Sequence, residues 1–143
     1  MIAIDAGFLF GLVDRSDCWH ARCVAFLPSQ SEGWITTWPV LAEATYLCSR
    51  WLGTAPATAL MDDVAGGGIG VWNPPSAMYL QVPAMMRKYA ALPMDLADAT
   101  LVLLAEHLGH GRILSTDERD FKTYRWKQRK PFVNLLANEE KRR

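Results

Sequence analysis

The stretch PMDLADATLVLLAEHLGHGRILSTDERDF, residues 93–121, decides the fold class. After Asp95, apolar residues recur at helical spacing as far as Gly109 or Gly111, which predicts a helix that Asp95 begins and a glycine ends. The short apolar run at 113–115 then leads to Asp117 and is typical of a buried strand. A helix followed directly by a buried strand is the alternation found in α/β domains, so this stretch predicts a mostly parallel sheet.

The rest of the chain repeats the alternation. Apolar runs at 2–4, 34–36 and 69–72 predict further strands, and a last strand is expected within 132–136. The helices expected between them begin near Phe8, near Asp17 with a stop at Pro28, at Pro39, at Thr54 or Pro56, and after Pro75. No Asn-Gly hairpin signal interrupts the series. We therefore expect a three-layer α/β/α sandwich with about five strands, in one domain over residues 1–143.

Composition supports a globular protein of the cytoplasm. Half of the 143 residues are hydrophobic and 21% are charged, which is ordinary for a compact domain. Three cysteines do not form a disulfide framework, and the C-x-H-x-x-C spacing of Cys18, His20 and Cys23 lacks the second ligand pair of a zinc site. The N-terminal run has no basic segment and contains Asp5, so we expect neither a signal peptide nor a membrane span.

The basic residues are concentrated near the C-terminus. Ten of the fifteen Lys and Arg lie in the last 32 residues, including residues 141–143, although the net charge is zero. Arg125, Lys127, Arg129 and Lys130 surround Trp126, a combination that suits phosphate contacts and base stacking on RNA. A charged hairpin or loop at the sheet edge explains the same residues equally well, so both interpretations stay open.

Four acids that are distant in sequence are expected at one edge of the sheet. Asp5 and Asp117 each follow an apolar strand, while Glu43 and Asp98 lie in the first turns of helices that follow the ends of strands. Ligands of open α/β sheets bind outside the carboxyl ends of the strands, where these four positions meet. The sequence therefore predicts a carboxylate cluster made of Asp5, Glu43, Asp98 and Asp117.

Such a cluster requires a cation, because carboxylates held together without one repel each other. Oxygen ligands suit Mg²⁺ or Mn²⁺, and these ions serve phosphoryl chemistry. Each acid also has a structural explanation. Asp5 is suited to a turn, Asp117 to a helix N-cap and Asp95 to the cap of the helix that contains Asp98. A structural role of this kind does not account for Glu43, since an unpaired Glu on a mainly apolar helix face is costly to bury.

The segments MIAIDAG (1–7), TTWPVLAEATYL (36–47), PMDLADATLVLLAEHLG (93–109) and ILSTDERDF (113–121) resemble the PIN-domain family, in particular VapC-like toxins of bacterial toxin–antitoxin systems. The resemblance covers nearly the whole chain in matching order. It implies a PIN-like fold and an endoribonuclease that depends on Mg²⁺ or Mn²⁺. It also implies a protein that is often a homodimer and is inhibited by a cognate antitoxin.

The resemblance assigns roles to residues. Asp5, Glu43, Asp98 and Asp117 match the family's four site acids, which bind the metal. Thr116 matches a hydroxyl residue that supports the site, and Asp95 and Asp120 match further acidic positions that support the site or provide alternative ligands. The chain departs from many relatives after the first acid, where Ala6 and Gly7 replace a polar residue. This departure puts one polar contact in doubt but leaves the metal ligands in place.

Other functions were compared with this one. A non-catalytic RNA-binding or regulatory module of the same fold would retain the shape without the chemistry. An Asp-dependent phosphatase would need a second Asp where Gly7 stands, and a receiver domain would need an acidic pair after the first strand. The glycines at 66–68 lack the Lys-Ser/Thr of a phosphate loop and are expected to end a helix. Apolar surface on the two N-terminal helices and at 56–61 is where we expect a homodimer or antitoxin contact.

Overall fold

The computed structural model describes residues 1–29 and 32–137. Its strands are β1 (Ile2–Ile4), β2 (Trp34–Thr36), β3 (Ile69–Val71), β4 (Arg112–Leu114), β5 (Arg125–Trp126), β6 (Lys130–Pro131) and β7 (Val133–Asn134). Its α-helices are α1 (Ala6–Val13), α2 (His20–Ser29), α3 (Trp38–Leu52), α4 (Thr54–Ala65), α5 (Val82–Lys88), α6 (Leu96–Leu108) and α7 (Glu118–Thr123), with a 3₁₀ helix at Ser76–Gln81. Residues 138–143, which include the basic residues at 141–143, lie outside the described part of the chain.

A five-stranded sheet with the order β3-β2-β1-β4-β7 forms the centre of the protein. Every neighbouring pair is parallel, and Ala3 of β1 is aligned with Ile35 on one side and with Ile113 on the other. The helices flank the sheet, which confirms the predicted α/β/α sandwich. Parallel alignment places the carboxyl ends of β1 and β4 side by side, because both strands start and stop at matching levels.

The sheet and α6 form the hydrophobic core. Ile4, Ile113 and Leu114 are fully buried strand residues, and α6 is buried over most of its length, from Ala99 to Ala105. A near-continuous apolar strand is typical of a parallel sheet that is covered on both faces. Within residues 1–29 and 32–137, no helix has both the length and the apolar character needed to cross a membrane.

Several predicted boundaries are wrong. Helix α2 continues to Ser29 instead of stopping at Pro28, and it begins at His20, with Asp17 in the preceding turn. The helix expected after Pro75 is divided into a 3₁₀ helix and α5, with Pro83 in the first turn of α5, where its missing N–H costs no helical hydrogen bond. The last strand of the sheet, Val133–Asn134, lies inside the predicted range 132–136.

The basic stretch forms an antiparallel hairpin, which is one of the two alternatives left open by the sequence. β5 pairs with β6, with Arg125 opposite Pro131 and Trp126 opposite Lys130. Lys127 and Gln128 at its tip both have positive φ, at 46° and 69°. The turn has three residues, 127–129, and positions with positive φ in hairpin turns are usually Asn or Gly, since other side chains are strained there. The Asn-Gly signal is therefore absent from a hairpin that nevertheless forms.

Candidate active site

Asp5 stands at the carboxyl end of β1, where the strand gives way to helix α1. Its Oδ1 accepts a hydrogen bond of 2.9 Å from the Phe8 N–H, so the carboxylate is the N-cap of α1. Its Oδ2 accepts a hydrogen bond from the Ser115 hydroxyl. Asp5 is 8% exposed, and this burial is unusual for an aspartate that has no ion pair among residues 1–29 and 32–137. The strand end and the helix start together fix the position of this side chain.

Asp95 and Asp98 form a reciprocal cap at the start of α6. Asp95 Oδ1 accepts from the Asp98 N–H at 2.8 Å, and Asp98 Oδ2 accepts from the Asp95 N–H at 3.3 Å. The Tyr124 hydroxyl also donates to Asp98 Oδ2, at 3.3 Å. The predicted cap role of Asp95 is thus present, and Asp98 shares it. A capping role and a ligand role are compatible, because each carboxylate oxygen has two lone pairs.

Asp117 and Asp120 lie at the start of α7, directly after β4. Asp117 Oδ1 accepts from the Asp120 N–H at 3.1 Å and caps the helix. The Ser115 hydroxyl oxygen accepts a 2.9 Å hydrogen bond from the Asp117 N–H while it donates to Asp5. One hydroxyl group therefore joins the first and the fourth predicted acids across the ends of β1 and β4.

Glu43 projects from the second turn of α3 toward these aspartates. From the sequence this side chain was expected to be buried. That prediction is wrong, because Glu43 is exposed. It nevertheless lines the same cavity as Asp5, Asp98 and Asp117. Its position is explained by the register of α3, which buries Val40, Leu41 and Ala44 against the core and turns Glu43 to the cavity mouth.

All six predicted acids meet around a cavity of about 250 Å³. Its lining includes Asp5, Glu43, Asp95, Asp98, Asp117 and Asp120, with Thr116 beside them. No Lys, Arg or His is part of that lining among the residues that the structure describes. The structure thus gathers every acid that the sequence singled out, from β1, α3, α6 and the β4–α7 junction.

Burial and nearby charges disfavour the charged forms of four of the acids, namely Asp5, Glu43, Asp98 and Asp120. Burial is the main cause that raises the pKa of Asp5 to about 7, and the charges of Asp117 and Glu43 add to it against the lowering hydrogen bonds of Ser115 and Phe8. Burial, followed by the charge of Asp95, raises the pKa of Asp98 to about 8. A bound cation would remove this penalty, because an opposite charge favours the ionised carboxylate.

Asp120 and Glu43 show the same trend. Burial, then the hydrogen bond and charge of Asp117, raises the pKa of Asp120 to about 7. Partial desolvation, then the charges of Asp95 and Asp117, raises the pKa of Glu43. The repulsion therefore extends over the whole cavity and is not confined to one pair.

The donor set fits Mg²⁺ or Mn²⁺ in its chemistry, since carboxylate oxygens are the ligands that these hard cations prefer. Among residues 1–29 and 32–137, however, no three His, Cys, Asp or Glu side chains are already arranged so that they could hold one metal ion. Asp5, Asp98 and Asp117 are directed at backbone N–H groups that they cap. Metal binding would require small side-chain rotations that turn free lone pairs toward the cavity.

Two residues that form hydrogen bonds with the acids, Ser115 and Tyr124, were not predicted from the sequence. The resemblance implies a supporting hydroxyl at Thr116, and the structure adds the Ser115 hydroxyl, which bonds Asp5. The available signal was the position of Ser115, the last residue of the apolar run before Asp117. Thr116 lines the cavity and its Oγ1 fills the space beside Gly7, where an added Cβ would overlap it. Gly7 thus leaves room for Thr116, and Ser115 supplies a polar contact to Asp5 that Ala6 and Gly7 cannot.

The predicted RNA-binding cations lie outside the lining of the acidic cavity. Arg125 Nη1 donates to the carbonyls of Lys122, Thr123 and Tyr124 and so caps the C-terminus of α7. Lys127 and Lys130 place their ammonium groups 5.9 and 4.9 Å from the centre of the Trp126 ring. Arg129 is exposed on the same hairpin. RNA contact by these residues stays a prediction.

The two cysteines near α2 differ in burial. Cys23 is fully buried in the core and Cys18 is exposed in the turn before α2. His20 Nδ1 lies 2.7 Å from the Gly11 carbonyl oxygen, a backbone contact. The glycines at 66–68 follow the end of α4, and Gly67 has a φ of 83° that favours glycine.

Comparison with known proteins supports the resemblance seen in the motifs. No family model matches the chain. The chain is similar to Ribonuclease VapC26 of Mycobacterium tuberculosis, with 28% identity over 122 residues that cover 85% of this chain and 90% of the relative.

The fold is also similar to a solved structure. The crystal structure of Mycobacterium tuberculosis VapC20, described as a Sarcin-Ricin loop cleaving toxin, matches with a TM-score of 0.76 and 18% identity over 83% of this chain and 92% of that one. At this identity the match shows the fold alone. The chain is thus similar in sequence to a VapC ribonuclease and in fold to a VapC toxin, which agrees with the resemblance of its motifs to the PIN-domain family.

Proposed function

We propose that the chain is a metal-dependent endoribonuclease that hydrolyses RNA phosphodiester bonds, and that it acts as the toxin of a toxin–antitoxin pair. The observation that supports this most is the cavity that six acids line with no basic residue in its described lining. Similarity to a protein named as a ribonuclease, VapC26, supports the reaction class. The fold shared with VapC20, a toxin that cleaves the Sarcin-Ricin loop, agrees with RNA as the substrate.

The proposed ligands of Mg²⁺ or Mn²⁺ are Asp5, Asp98 and Asp117, with Glu43 at the cavity mouth. When bound, such an ion polarises a phosphate and lowers the pKa of an attacking water. Ser115 holds Asp5 and Asp117 together, while Thr116, Asp95 and Asp120 fix the surrounding groups. Exposed Glu43 is suited to hold a proton or a water near the substrate, since its carboxyl is the least constrained of the four.

Substitution of Asp98 by Asn tests this function. The change keeps the size and capping geometry of the side chain but removes a charge from the cavity. We therefore expect Mg²⁺-dependent RNA cleavage to be lost, while the far-UV circular dichroism spectrum is unchanged. Asp62→Asn on α4 is the matched control, because Asp62 is exposed and outside the acidic lining. Undiminished cleavage by purified Asp98→Asn protein would contradict the proposal.

A second candidate function has one observation in its favour. In residues 1–29 and 32–137 no three ligand side chains are already grouped around a metal position, which is what a catalytically inert RNA-binding or regulatory module would show. Calorimetric titration with Mn²⁺ separates the two. Binding that Asp98→Asn weakens supports the nuclease, and no heat at millimolar Mn²⁺ favours the inert module.

We further propose that the chain works as one nuclease domain in the cytoplasm, as a homodimer, and is inhibited by an antitoxin. An apolar groove of about 400 Å³, lined by Leu9, Leu12, Leu27, Pro56 and Leu60 among others, lies at the predicted contact surface. Exposed Trp38 and Trp51 on α3 provide further apolar surface for a second copy of the chain. Light scattering of the purified protein, alone and co-expressed with a neighbouring reading frame, tests both partners.

A further inference from the structure

A second cavity of about 300 Å³ lies between α5, α6 and the β5–β6 hairpin, and we call it the α5 cavity. Its walls include Gln81, Lys88, Glu106, Arg125 and Gln128 as polar groups, and Tyr89 and Met85 as apolar ones. None of these residues belongs to the acidic cavity. Two cations, two amides and one carboxylate around an aromatic ring are a combination that the proposed cleavage chemistry does not use.

Helix α6 connects the two cavities. Asp98, Val102 and Glu106 are spaced by four residues and therefore share one face of the helix. Asp98 lines the acidic cavity, whereas Val102 and Glu106 line the α5 cavity. With a rise of 1.5 Å per residue, the α5 cavity begins about 6 Å and extends to about 12 Å from Asp98 along the helix axis. A neighbouring nucleotide of a strand bound at Asp98 falls within that distance.

Two packed tyrosines link Asp98 of the acidic cavity to the lining of the α5 cavity. The Tyr124 hydroxyl donates to Asp98, and the Tyr124 ring packs edge-on against Tyr89 with centres 5.0 Å apart. The Tyr89 hydroxyl accepts a 3.0 Å hydrogen bond from the Arg125 N–H, which anchors the hairpin to α5. The α5 cavity is thus held by contacts that also reach the acidic cavity.

The cations of the α5 cavity are held in place. Lys88 Nζ donates to the Gln128 carbonyl oxygen at 3.3 Å and lies 5.3 Å from the centre of the Tyr89 ring, so it spans from α5 to the hairpin tip. Arg125 is fixed by the carbonyls at the end of α7. Lys127 and Lys130 add positive charge on the neighbouring Trp126. Fixed cations beside an aromatic ring suit a phosphate with its attached base.

Glu106 indicates which bases fit. Its Oε1 accepts a 3.3 Å hydrogen bond from the Lys127 N–H and it faces the same cavity as Gln81 and Gln128. A carboxylate accepts hydrogen bonds from the exocyclic amino groups of guanine, adenine and cytosine. Uracil has no amino group, and its two carbonyl oxygens flank its single N–H, so they would face the carboxylate.

We propose that the α5 cavity binds one nucleotide of the RNA substrate beside the cleaved bond and prefers a base with an amino group over uracil. The inference rests on the proposed ribonuclease function. In this proposal Lys88 and Arg125 contact the phosphate. Glu106 and the two glutamines contact the edge of the base.

The phosphate contact is tested by RNA binding in EDTA, where no cleavage occurs. A short fluorescein-labelled single-stranded RNA is titrated by anisotropy at several salt concentrations. Lys88→Gln keeps a donor for the Gln128 carbonyl but removes the charge, so the slope of log K against log salt should fall by about 0.7, as for one lost phosphate contact. Lys88→Arg should retain the slope. Arg50→Gln, an exposed cation on α3, is the matched control, and an equal effect of Arg50→Gln and Lys88→Gln overturns the assignment.

The base contact is tested with GMP, AMP, CMP and UMP, followed by amide NMR shifts. GMP, AMP and CMP should shift the amide resonances of residues 81–89 and 102–106 more than UMP does. Glu106→Gln keeps the acceptor for the Lys127 N–H and supplies a donor for a uracil carbonyl, so it should reduce the preference against UMP, which we expect to be roughly 5- to 30-fold in wild type. Shifts confined to other residues, or a preference that Glu106→Gln leaves unchanged, overturn the assignment.

The two proposals fail separately. If Asp98→Asn abolishes cleavage while Lys88→Gln and Glu106→Gln alter neither RNA affinity nor base preference, the nuclease stands and the α5 cavity is not its subsite. If wild-type protein with Mn²⁺ cleaves no RNA although GMP shifts the α5 cavity, the nucleotide site stands and the nuclease function is wrong.

Discussion

Replacement of Asp5 by Asn should stabilise the metal-free protein at high pH. Burial raises the pKa of the folded Asp5 to about 7 from a value of 3.8 in the unfolded chain. The folded state therefore holds the proton more tightly, and ionisation makes folding less favourable as pH rises from about 4 to 7. At about 1.4 kcal/mol per pKa unit, the penalty at pH 8 is about 4 kcal/mol. Asn is neutral and avoids it.

The net gain is smaller than the penalty. Asn retains an oxygen for the Phe8 N–H but places an NH₂ group where Oδ2 accepts from the Ser115 hydroxyl. Loss of that hydrogen bond costs roughly 1–3 kcal/mol in a buried site. The expected gain at pH 8 is therefore about 1–3 kcal/mol, or roughly 3–10 °C in Tm for a domain of this size.

Thermal and urea unfolding in EDTA at pH 5 and pH 8 measure the effect. At pH 5 the folded wild-type Asp5 is largely protonated, so the advantage of Asp5→Asn should shrink or change sign. Asp14→Asn is the matched control, because hydrogen bonds from Ser16 lower the pKa of Asp14 and its ionised form stabilises the fold above about pH 4. The reasoning is refuted if Asp5→Asn is no more stable than wild type at pH 8, or if its gain is equal at both pH values.

Three further outcomes follow from the same cavity. Millimolar Mn²⁺, at a hundred times its Kd, should add about 2.7 kcal/mol to the free energy of unfolding of wild type and so raise its Tm in thermal-shift assays, and it should leave the Tm of Asp5→Asn nearly unchanged. Gly7→Ala should destabilise by roughly 1–3 kcal/mol because its Cβ overlaps Thr116 Oγ1, and urea unfolding of the Gly7→Ala/Thr116→Ala double variant should recover most of that loss. Ser115→Ala should weaken Mn²⁺ binding in calorimetric titrations, since Asp5 and Asp117 lose their shared hydroxyl, whereas Ser115→Thr should retain it; equal affinities would contradict this role.

Periodicity in the sequence was sufficient to predict the elements that position the site. The apolar runs before Asp5 and Asp117 are buried strands, and parallel pairing of β1 with β2 and β4 brings their ends together. The alternation of strands and helices identified the sandwich because the central apolar runs, such as 2–4, have buried residues on both faces. These features depend on local patterns that a single sequence contains.

The contacts around the acids could not be derived in the same way. Ser115 bonds Asp5 across 110 positions of sequence, and Tyr124 bonds Asp98 across 26. Such pairs depend on strand register and on how α7 packs, which no local pattern encodes. Glu43 was expected to be buried because its neighbours are apolar, yet the helix register turns it outward. The side of a helix is predictable only to within the width of its apolar stripe.

Helix N-termini offset part of the repulsion between the acids. Asp5, Asp95 and Asp117 each accept a hydrogen bond from the N–H of a residue three positions later, so each lies at a helix N-terminus. Unpaired N–H groups and the helix dipole favour negative charge at that end. Three helix starts therefore offset part of the repulsion, at the cost of turning the carboxylates toward backbone. A cation would use the lone pairs that the caps leave free, so Mn²⁺ affinity should depend on how readily these side chains rotate at the starts of α1, α6 and α7.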